Sequence, residues 1–362
     1  MLRPGGWEMK KTMNAVRRAM IRAVGGIALA ATMTLPALAQ APAPAAGAAS
    51  TLDAIRARGT LICGVTTGLA GFAQPDSQGV WRGFDVDYCR AMAIALWNDA
   101  NRVRYVPTTA QNRFTALQSG EVDMLARNTT WTLSRDTSLG FDFTAVNFYD
   151  GQGFMVKANA GVRTARELDG ATICVQPGTT TEQNLTDWAR ANRIRFTPVV
   201  IERLEEVVQA YVAGRCDAYT TDVSGLAATR SAQPRPADHL ILPDVISKEP
   251  LAPLVRHGDQ RFTDLLRWIH FGLVTAEELD ITQANVAQAA TGDNRPDAQR
   301  LLGRTGDLGR MLGVDNAFMV NIVRNIGNYG EIFQRNLGPI GLQRGPNALW
   351  NQGGLQYAPP FR

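Results

Sequence analysis

The chain reads as a two-lobed α/β protein with a cleft between the lobes. A strand–helix–strand rhythm with short connections runs once from 60 to 126 and again from 172 to 220. Parallel neighbours need a crossover segment, so each run predicts a mainly parallel sheet flanked by helices. Each run also ends its strands in turns rich in hydroxyls and glycine, where open α/β folds take their ligands. The 362 residues, 45% apolar and 19% charged, suffice for about two domains.

The elements follow in order. Leu52 to Arg58 is a helix stopped by Gly59, and Thr60 to Val65 a short apolar strand. A small-residue loop, Thr66 to Phe72, leads on to a helix from about Asp85 to Trp97, whose stripe is Val86, Cys89, Met92, Ala93 and Leu96. Arg102–Pro107 is a strand, Arg113–Ser119 a helix ended by Gly120, and Val122–Ala126 a third strand. The pattern restarts with an extended piece at Gly153–Lys157, a helix at Thr164–Leu168 and a strand at Thr172–Val175. Thr179 and Glu182 form a capping box for a helix from Thr180 to about Asn192. Strand Arg195–Val200, helix Leu204–Ala213 and strand Cys216–Thr220 complete the second unit. Ile246–Val255 reads as a return crossing, and Arg261–Glu277 as an amphipathic helix. From Gln283 the chain reads as irregular, then helical over Leu308–Phe333, with a glycine- and proline-bearing tail from Asn336.

The ends and the charge bound the setting. Lys10, Lys11, Arg17, Arg18 and Arg22 precede a small apolar run, Ala23–Leu35, and Ala37-Leu38-Ala39 is an A-x-A cleavage pattern. Residues 1–39 therefore read as a secretory signal peptide, and 40–50 as a disordered linker. Export is expected, with a periplasmic location. Much of the net charge of +4 lies in that leader. Elsewhere basic residues are scattered among acids, so no nucleic-acid partner is expected.

Export makes the four cysteines candidates for disulfides. Three pairings are open to Cys63, Cys89, Cys174 and Cys216. If each half is its own domain, Cys63–Cys89 and Cys174–Cys216 are the natural pairs. With no C-x-x-C and three scattered histidines, His239, His257 and His270, neither a metal nor a cofactor is expected.

The chemistry concentrates in Arg127-Asn128-Thr129-Thr130-Trp131-Thr132-Leu133-Ser134-Arg135, where a strand gives way to a helix. Thr132 suits a helix cap, and Arg135 offers a planar fork that matches a carboxylate. Trp131, alternating with threonines, reads as core. Arg127 stands beside the pocket, placed to orient Asp222 or another acid.

Six motifs in order carry a resemblance. They are Gly83-Phe84-Asp85-Val86-Asp87, Ala116 to Asp123, the Thr-x-Thr-x-x-Arg run at 130–135, Asp142-Phe143-Thr144, Gly178-Thr179-Thr180, and Gly214 to Asp222. Over about 51 to 290 the chain resembles the periplasmic amino-acid-binding proteins of ABC importers. The run at 127–135 and the tail through Tyr357 resemble their general L-amino-acid-binding subfamily. The resemblance implies a type II periplasmic-binding fold. Lobe one would be 51–154 with 248–290, lobe two 155–247, and 291–362 an extension packed on a lobe. It implies an arginine on the ligand α-carboxylate at Arg135, and a threonine hydrogen-bonded to that carboxylate at Thr130. A helix-start amide falls at Thr180 beside Thr179, and a carboxylate for the α-ammonium at Asp222. The carbonyl that accepts from the ammonium belongs to glycine in the family and to Asn128 here. An acidic residue sometimes found after the first strand is Thr66, and the stacking aromatic corresponds at best to Leu69. The pocket is thus less charged and less aromatic than in specialists, which suits broad specificity.

The function implied is that of a monomeric receptor, not an enzyme. It captures an L-amino acid by closing its lobes and delivers it to an inner-membrane ABC permease. The alternative is an exported dehydratase on the same scaffold, acting on a prephenate-like acid through Asp222 or Glu182.

Overall fold

The computed structural model describes residues 50–362; the leader and residues 40–49 of the linker lie outside the described residues. The chain opens with α1 (Thr51–Arg58), β1 (Leu61–Thr66), a hairpin of β2 (Gln74–Pro75) and β3 (Trp81–Arg82), and α2 (Phe84–Trp97). Ser50 caps α1 by accepting from the Asp53 N–H, and Gly59 ends it at φ 71°. Gly83 enters α2 at φ 135°, and a Cβ there would sit 2.1 Å from the Phe72 carbonyl oxygen. The glycine of the Gly83–Asp87 motif is therefore a backbone requirement. Next come β4 (Val103–Thr108), α3 (Arg113–Gln118), β5 (Met124–Leu125), α4 (Leu133–Thr137) and β6 (Phe141–Phe143).

The chain then crosses through β7 (Phe148–Asp150) into β8 (Gln152–Lys157). The second unit follows as β9 (Thr172–Val175), α5 (Thr180–Asn192), β10 (Thr197–Val200), α6 (Leu204–Val212), β11 (Ala218–Asp222), α7 (Val223–Ser231) and β12 (His239–Ile241). It returns through β13 (Glu249–Leu251) to β14 (Leu254–Arg256).

Two five-stranded sheets result, ordered β4-β1-β5-β14-β6 and β10-β9-β11-β8-β12. In the first, β4, β1 and β5 are parallel and β14 runs against its neighbours. In the second, β10, β9 and β11 are parallel and β8 is reversed. The reversed strands are those that enter or leave a crossing, so the sequence rhythm holds where a helix intervenes. All six residues of β1 are buried, as a strand covered on both faces requires. Cys63 of β1 is bonded to Cys89 of α2, and Cys174 of β9 to Cys216.

The first crossing differs from expectation. Gln152, Gly153 and Phe154 already belong to the second sheet, so it lies at 148–151, ahead of the expected division after 154. There β7 pairs antiparallel with β13, Glu249 facing Asp150 and Pro250 facing Tyr149. The Pro250 carbonyl turns outward to accept from Trp131 N–H at 2.8 Å, so its missing N–H breaks no ladder bond. The outward groups of Tyr149 are taken by Asn347, whose side chain accepts from its N–H at 2.7 Å and donates to its carbonyl at 3.0 Å. The tail thus braces the crossing.

The C-terminal part is more ordered than the sequence indicates. After α8 (Gln260–Glu278) come α9 (Val286–Gly292) and α10 (Pro296–Leu301), where irregular chain was expected. The long helix expected over 308–333 is instead α11 (Leu308–Met311), α12 (Phe318–Ile326) and α13 (Tyr329–Leu337). Gly313 at φ 76° and Gly327 at φ 81° interrupt it, and Asn328 with Glu331 makes a reciprocal capping box that starts α13 afresh. The apolar faces of α12 and α13 join α2 and α8 in one core. His270 sits in it between the Tyr88 hydroxyl at 2.8 Å and Gln356 at 3.1 Å.

Candidate functional site

The run after β5 turns sharply at Asn128, whose φ is +34°. This is the left-handed region that asparagine tolerates best after glycine. Asparagine can therefore stand where the family resemblance has glycine. Its N–H donates to Asp85 at the start of α2, at 3.1 Å. Thr132 caps α4 as expected, accepting from Arg135 N–H at 3.3 Å. That cap turns the Arg135 side chain back, and its Nη1 donates to the Thr130 carbonyl at 2.8 Å. Trp131 stacks on Phe143 at 5.5 Å, in keeping with a core role.

Two further guanidiniums stand beside Arg135. Arg113, at the start of α3, and Arg135 both lie over the Phe114 ring, at 4.8 and 5.1 Å. Arg127 donates through Nε to the Thr108 carbonyl at 3.2 Å. Arg113, Arg127 and Arg135 are 3%, 6% and 7% exposed. Among the described residues, none of the three has a carboxylate within 4.0 Å. Arg113 makes one long contact, 3.5 Å to the Thr129 hydroxyl, and its buried Nε has no partner. Burial depresses all three pKa values, that of Arg127 to about 10. For Arg113 the other two guanidiniums add to the depression.

Among the described residues, the carboxyls of Asp222, Asp150 and Asp85 also form no ion pair. Asp222 ends β11 at the N-cap position of α7, and its side chain makes no capping hydrogen bond there. Burial lifts its pKa well above the ordinary value, with Asp150 and Glu249 pushing the same way. Asp150 is raised to about 6, chiefly by burial, and its Oδ2 is buried without a partner. Asp85 is raised to about 7 by burial, against the pull of the Asn128 N–H and Arg127. The Asn128 Oδ1 and Gln152 Oε1 are likewise buried and unpartnered. Of the two acids, Asp85 acts on the charge of Arg127 more strongly than Asp222.

From the second sheet, α5 brings its N-terminus to the cleft. The Thr179 hydroxyl accepts from Glu182 N–H at 3.0 Å. Glu182 itself reaches Gly178 N–H at 3.0 Å, one residue beyond the cap, so the expected reciprocal half is displaced. Thr180 sits 3.3 Å from the Thr130 hydroxyl, and Thr109 donates to Glu202 at 2.9 Å, so the two halves meet. Leu69 is buried, but it lines a separate apolar hollow with Leu204, Val208 and Ala228.

Glu249 was missed by the sequence reading and sits at the centre. It is 1% exposed and accepts from Thr130 at 2.6 Å, Thr180 at 2.8 Å, Asn184 at 2.7 Å and Ser247 at 2.6 Å. Its signal was a charged residue in the apolar crossing Lys248-Glu249-Pro250-Leu251. Arg113 and Asp85 stood inside or beside quoted motifs, yet nothing in their spacing showed that they face the cleft.

Residues 61–284 match the family described as bacterial extracellular solute-binding proteins, family 3. The chain is 57% identical over 320 residues to the glutamate/glutamine/aspartate/asparagine-binding protein BztA of Rhodobacter capsulatus, covering 88% of this chain and 95% of that one. It is 54% identical over 322 residues to the general L-amino acid-binding periplasmic protein AapJ of Rhizobium johnstonii, covering 88% and 94%. A solved periplasmic binding protein of an ABC transporter from Brucella ovis, with glutathione bound, is 55% identical. It superposes with a TM-score of 0.85 over 87% of this chain and 100% of that one.

Proposed function

We propose, for a chain that belongs to the bacterial extracellular solute-binding proteins of family 3, that its cleft captures L-amino acids in the periplasm for an ABC permease. The observation that carries this reading is the separation of unpaired charge. Three buried guanidiniums share one cleft with the carboxyls of Asp85, Asp150 and Asp222 and, among the described residues, form no ion pair with them. Buried charges are normally paired, and leaving them apart is costly unless a ligand completes them. A zwitterion supplies both missing halves.

In this reading Arg135 takes the α-carboxylate with its free donors, helped by the amide of Thr180. The first amides of a helix have no carbonyl of their own to meet. Asp222 and Asp150 take the α-ammonium, with the Asn128 carbonyl. Thr130 borders the same point and Thr179 holds the start of α5, while Leu69 lines a separate apolar hollow and has no part in this ligand set. Arg113 is left over for a second oxygen group, which favours acidic and amide side chains. That preference agrees with the name carried by the Rhodobacter capsulatus relative. In this reading the lobes follow the expected division, 51–154 with 248–290 against 155–247, except that the first crossing falls at 148–151 and 152–154 go with the second lobe. Closure is a hinge motion about the β7–β13 ribbon, favoured because the ligand touches both lobes. The protein works as an exported monomer, and its relatives' names as binding proteins favour a receptor over the dehydratase.

The test is calorimetry on the mature chain, unfolded and refolded to remove ligand, against each L-amino acid and glutathione. Micromolar or tighter binding of glutamate, aspartate, glutamine or asparagine is expected, about −8 kcal/mol or better. Silence across the whole series would reject the reading. A response to glutathione alone would reassign the ligand.

A further inference from the structure

Glu249 lies on the crossing strand, opposite Asp150, and its carboxylate is surrounded by four donors from three places. Asn184 of α5 and Ser247 serve Oε1; the hydroxyls of Thr130 and Thr180 both serve Oε2. A hydroxyl has one proton and two lone pairs, and an ionised carboxylate has only acceptors. The distances settle where the two protons go. Each threonine lies 2.6 or 2.8 Å from Oε2, whereas the two hydroxyl oxygens are 3.3 Å from each other. Both O–H bonds therefore point at Glu249. The Ser247 hydroxyl fits the same direction, since it accepts from Gln152 N–H at 3.2 Å and spends its own proton on Oε1.

We propose that Glu249 is a positioning residue that sets the hydrogen-bond polarity of the cleft. By holding the protons of Thr130 and Thr180 it leaves only their lone pairs for a ligand, so the pair accepts from an ammonium and repels an oxygen in its place. This rests on the reading of the cleft as an amino-acid site and changes one part of it. The Thr130 hydroxyl, which the family resemblance placed on the α-carboxylate, serves the α-ammonium instead. The ligand class selected is the 2-amino acid over the 2-oxo acid of the same length.

Glu249→Gln makes this testable. If the glutamine carbonyl keeps Asn184 and Ser247, its NH2 faces the two threonine oxygens and donates to them. Their protons are then released toward the ligand, and the polarity reverses. Thr180→Val removes one of the two acceptors without altering charge, so it separates hydroxyl polarity from the loss of a negative charge. The measurement is calorimetric Kd for glutamate and for 2-oxoglutarate on wild type and both variants, with thermal unfolding of each. In both variants the preference for glutamate over 2-oxoglutarate is expected to fall by about tenfold or more. An unchanged ratio in Thr180→Val, or in a folded Glu249→Gln that still binds glutamate, overturns the role of Glu249 and leaves the receptor reading standing. A wild-type protein that binds no amino acid overturns both.

Discussion

The cleft and the seam between the C-terminal helices and the first sheet handle buried charge in opposite ways. At the seam Arg344 and Arg335 each find an anion. Arg344 meets Glu277 through two parallel bonds at 2.9 and 3.1 Å while lying over Tyr329 and Phe333. Arg335 and Asn336 both donate to Asp87, at 2.7 and 2.8 Å. In the cleft Arg113, Arg127 and Arg135 are more deeply buried and have no such partner. The seam has only to hold two pieces of one chain together. On the proposed reading the cleft withholds its pairings so that a ligand gains what a fixed partner would have taken.

The strongest way to break this comparison is to remove the cleft's clamp. Arg135→Ala is expected to weaken amino-acid binding by more than about 100-fold, because a charge-assisted carboxylate contact is lost in a dry site. Stability without ligand should move by less than about 1 kcal/mol, since no ion pair is broken. Calorimetry and denaturant unfolding read the two quantities separately. A large loss of stability with intact affinity would place Arg135 in the scaffold.

Glu277→Ala asks the reverse question at the seam. It strands Arg344 and should cost about 2 kcal/mol of stability, discounted from a fully buried pair because both side chains are part-exposed. Ligand affinity should stay within about twofold. A weakened affinity at unchanged stability would show that the braced crossing, reached through Asn347, tunes the cleft.

What the sequence made legible follows from distance along the chain. The paired sheets, the Thr132 cap, the helix over Thr180–Asn192 and the two disulfides rest on periodicity or on residues a few dozen positions apart. Asn128, Thr130 and Arg135 could be singled out because they share one short run with a recognisable pattern. Glu249 was not, because it meets Thr130 across 119 positions from a strand flanked by Lys248 and Pro250. Side chains that converge only through a crossing leave no local period. The helices at Val286–Gly292 and Pro296–Leu301 were too short to show one either, and the glycines that divide 308–333 lay in plain view but were read through.

Arg113→Gln sharpens the comparison within the cleft itself. If this arginine serves the distal end of the ligand, glutamate should lose about 30-fold in affinity, roughly 2 kcal/mol for one charge-assisted contact. Norvaline, with no distal oxygen, should lose nothing beyond about twofold. Equal losses for both would move Arg113 to the α-carboxylate beside Arg135.

The smallest effect is one of pH. The Asp150 carboxyl has its pKa raised from 3.8 to about 6 by burial. A group raised on folding stabilises the protonated native state fully below its unfolded value. That contribution is lost as pH climbs through the folded value, here between 3.8 and about 6. Ligand ammonium beside Asp150 favours the charged form and opposes this rise, so binding in that window must release a proton. Affinity should therefore be about tenfold weaker near pH 5 than near pH 7 on account of Asp150, and Asp222, also raised by burial, extends the dependence upward. Calorimetry near pH 5 in two buffers of different ionisation enthalpy counts the proton directly. Asp150→Asn should reduce the release to the share that Asp222 supplies, while leaving the ion pairs of the seam untouched. A pH dependence left unchanged by Asp150→Asn would mean that the ammonium sits away from the crossing, with Asp222 alone as its partner.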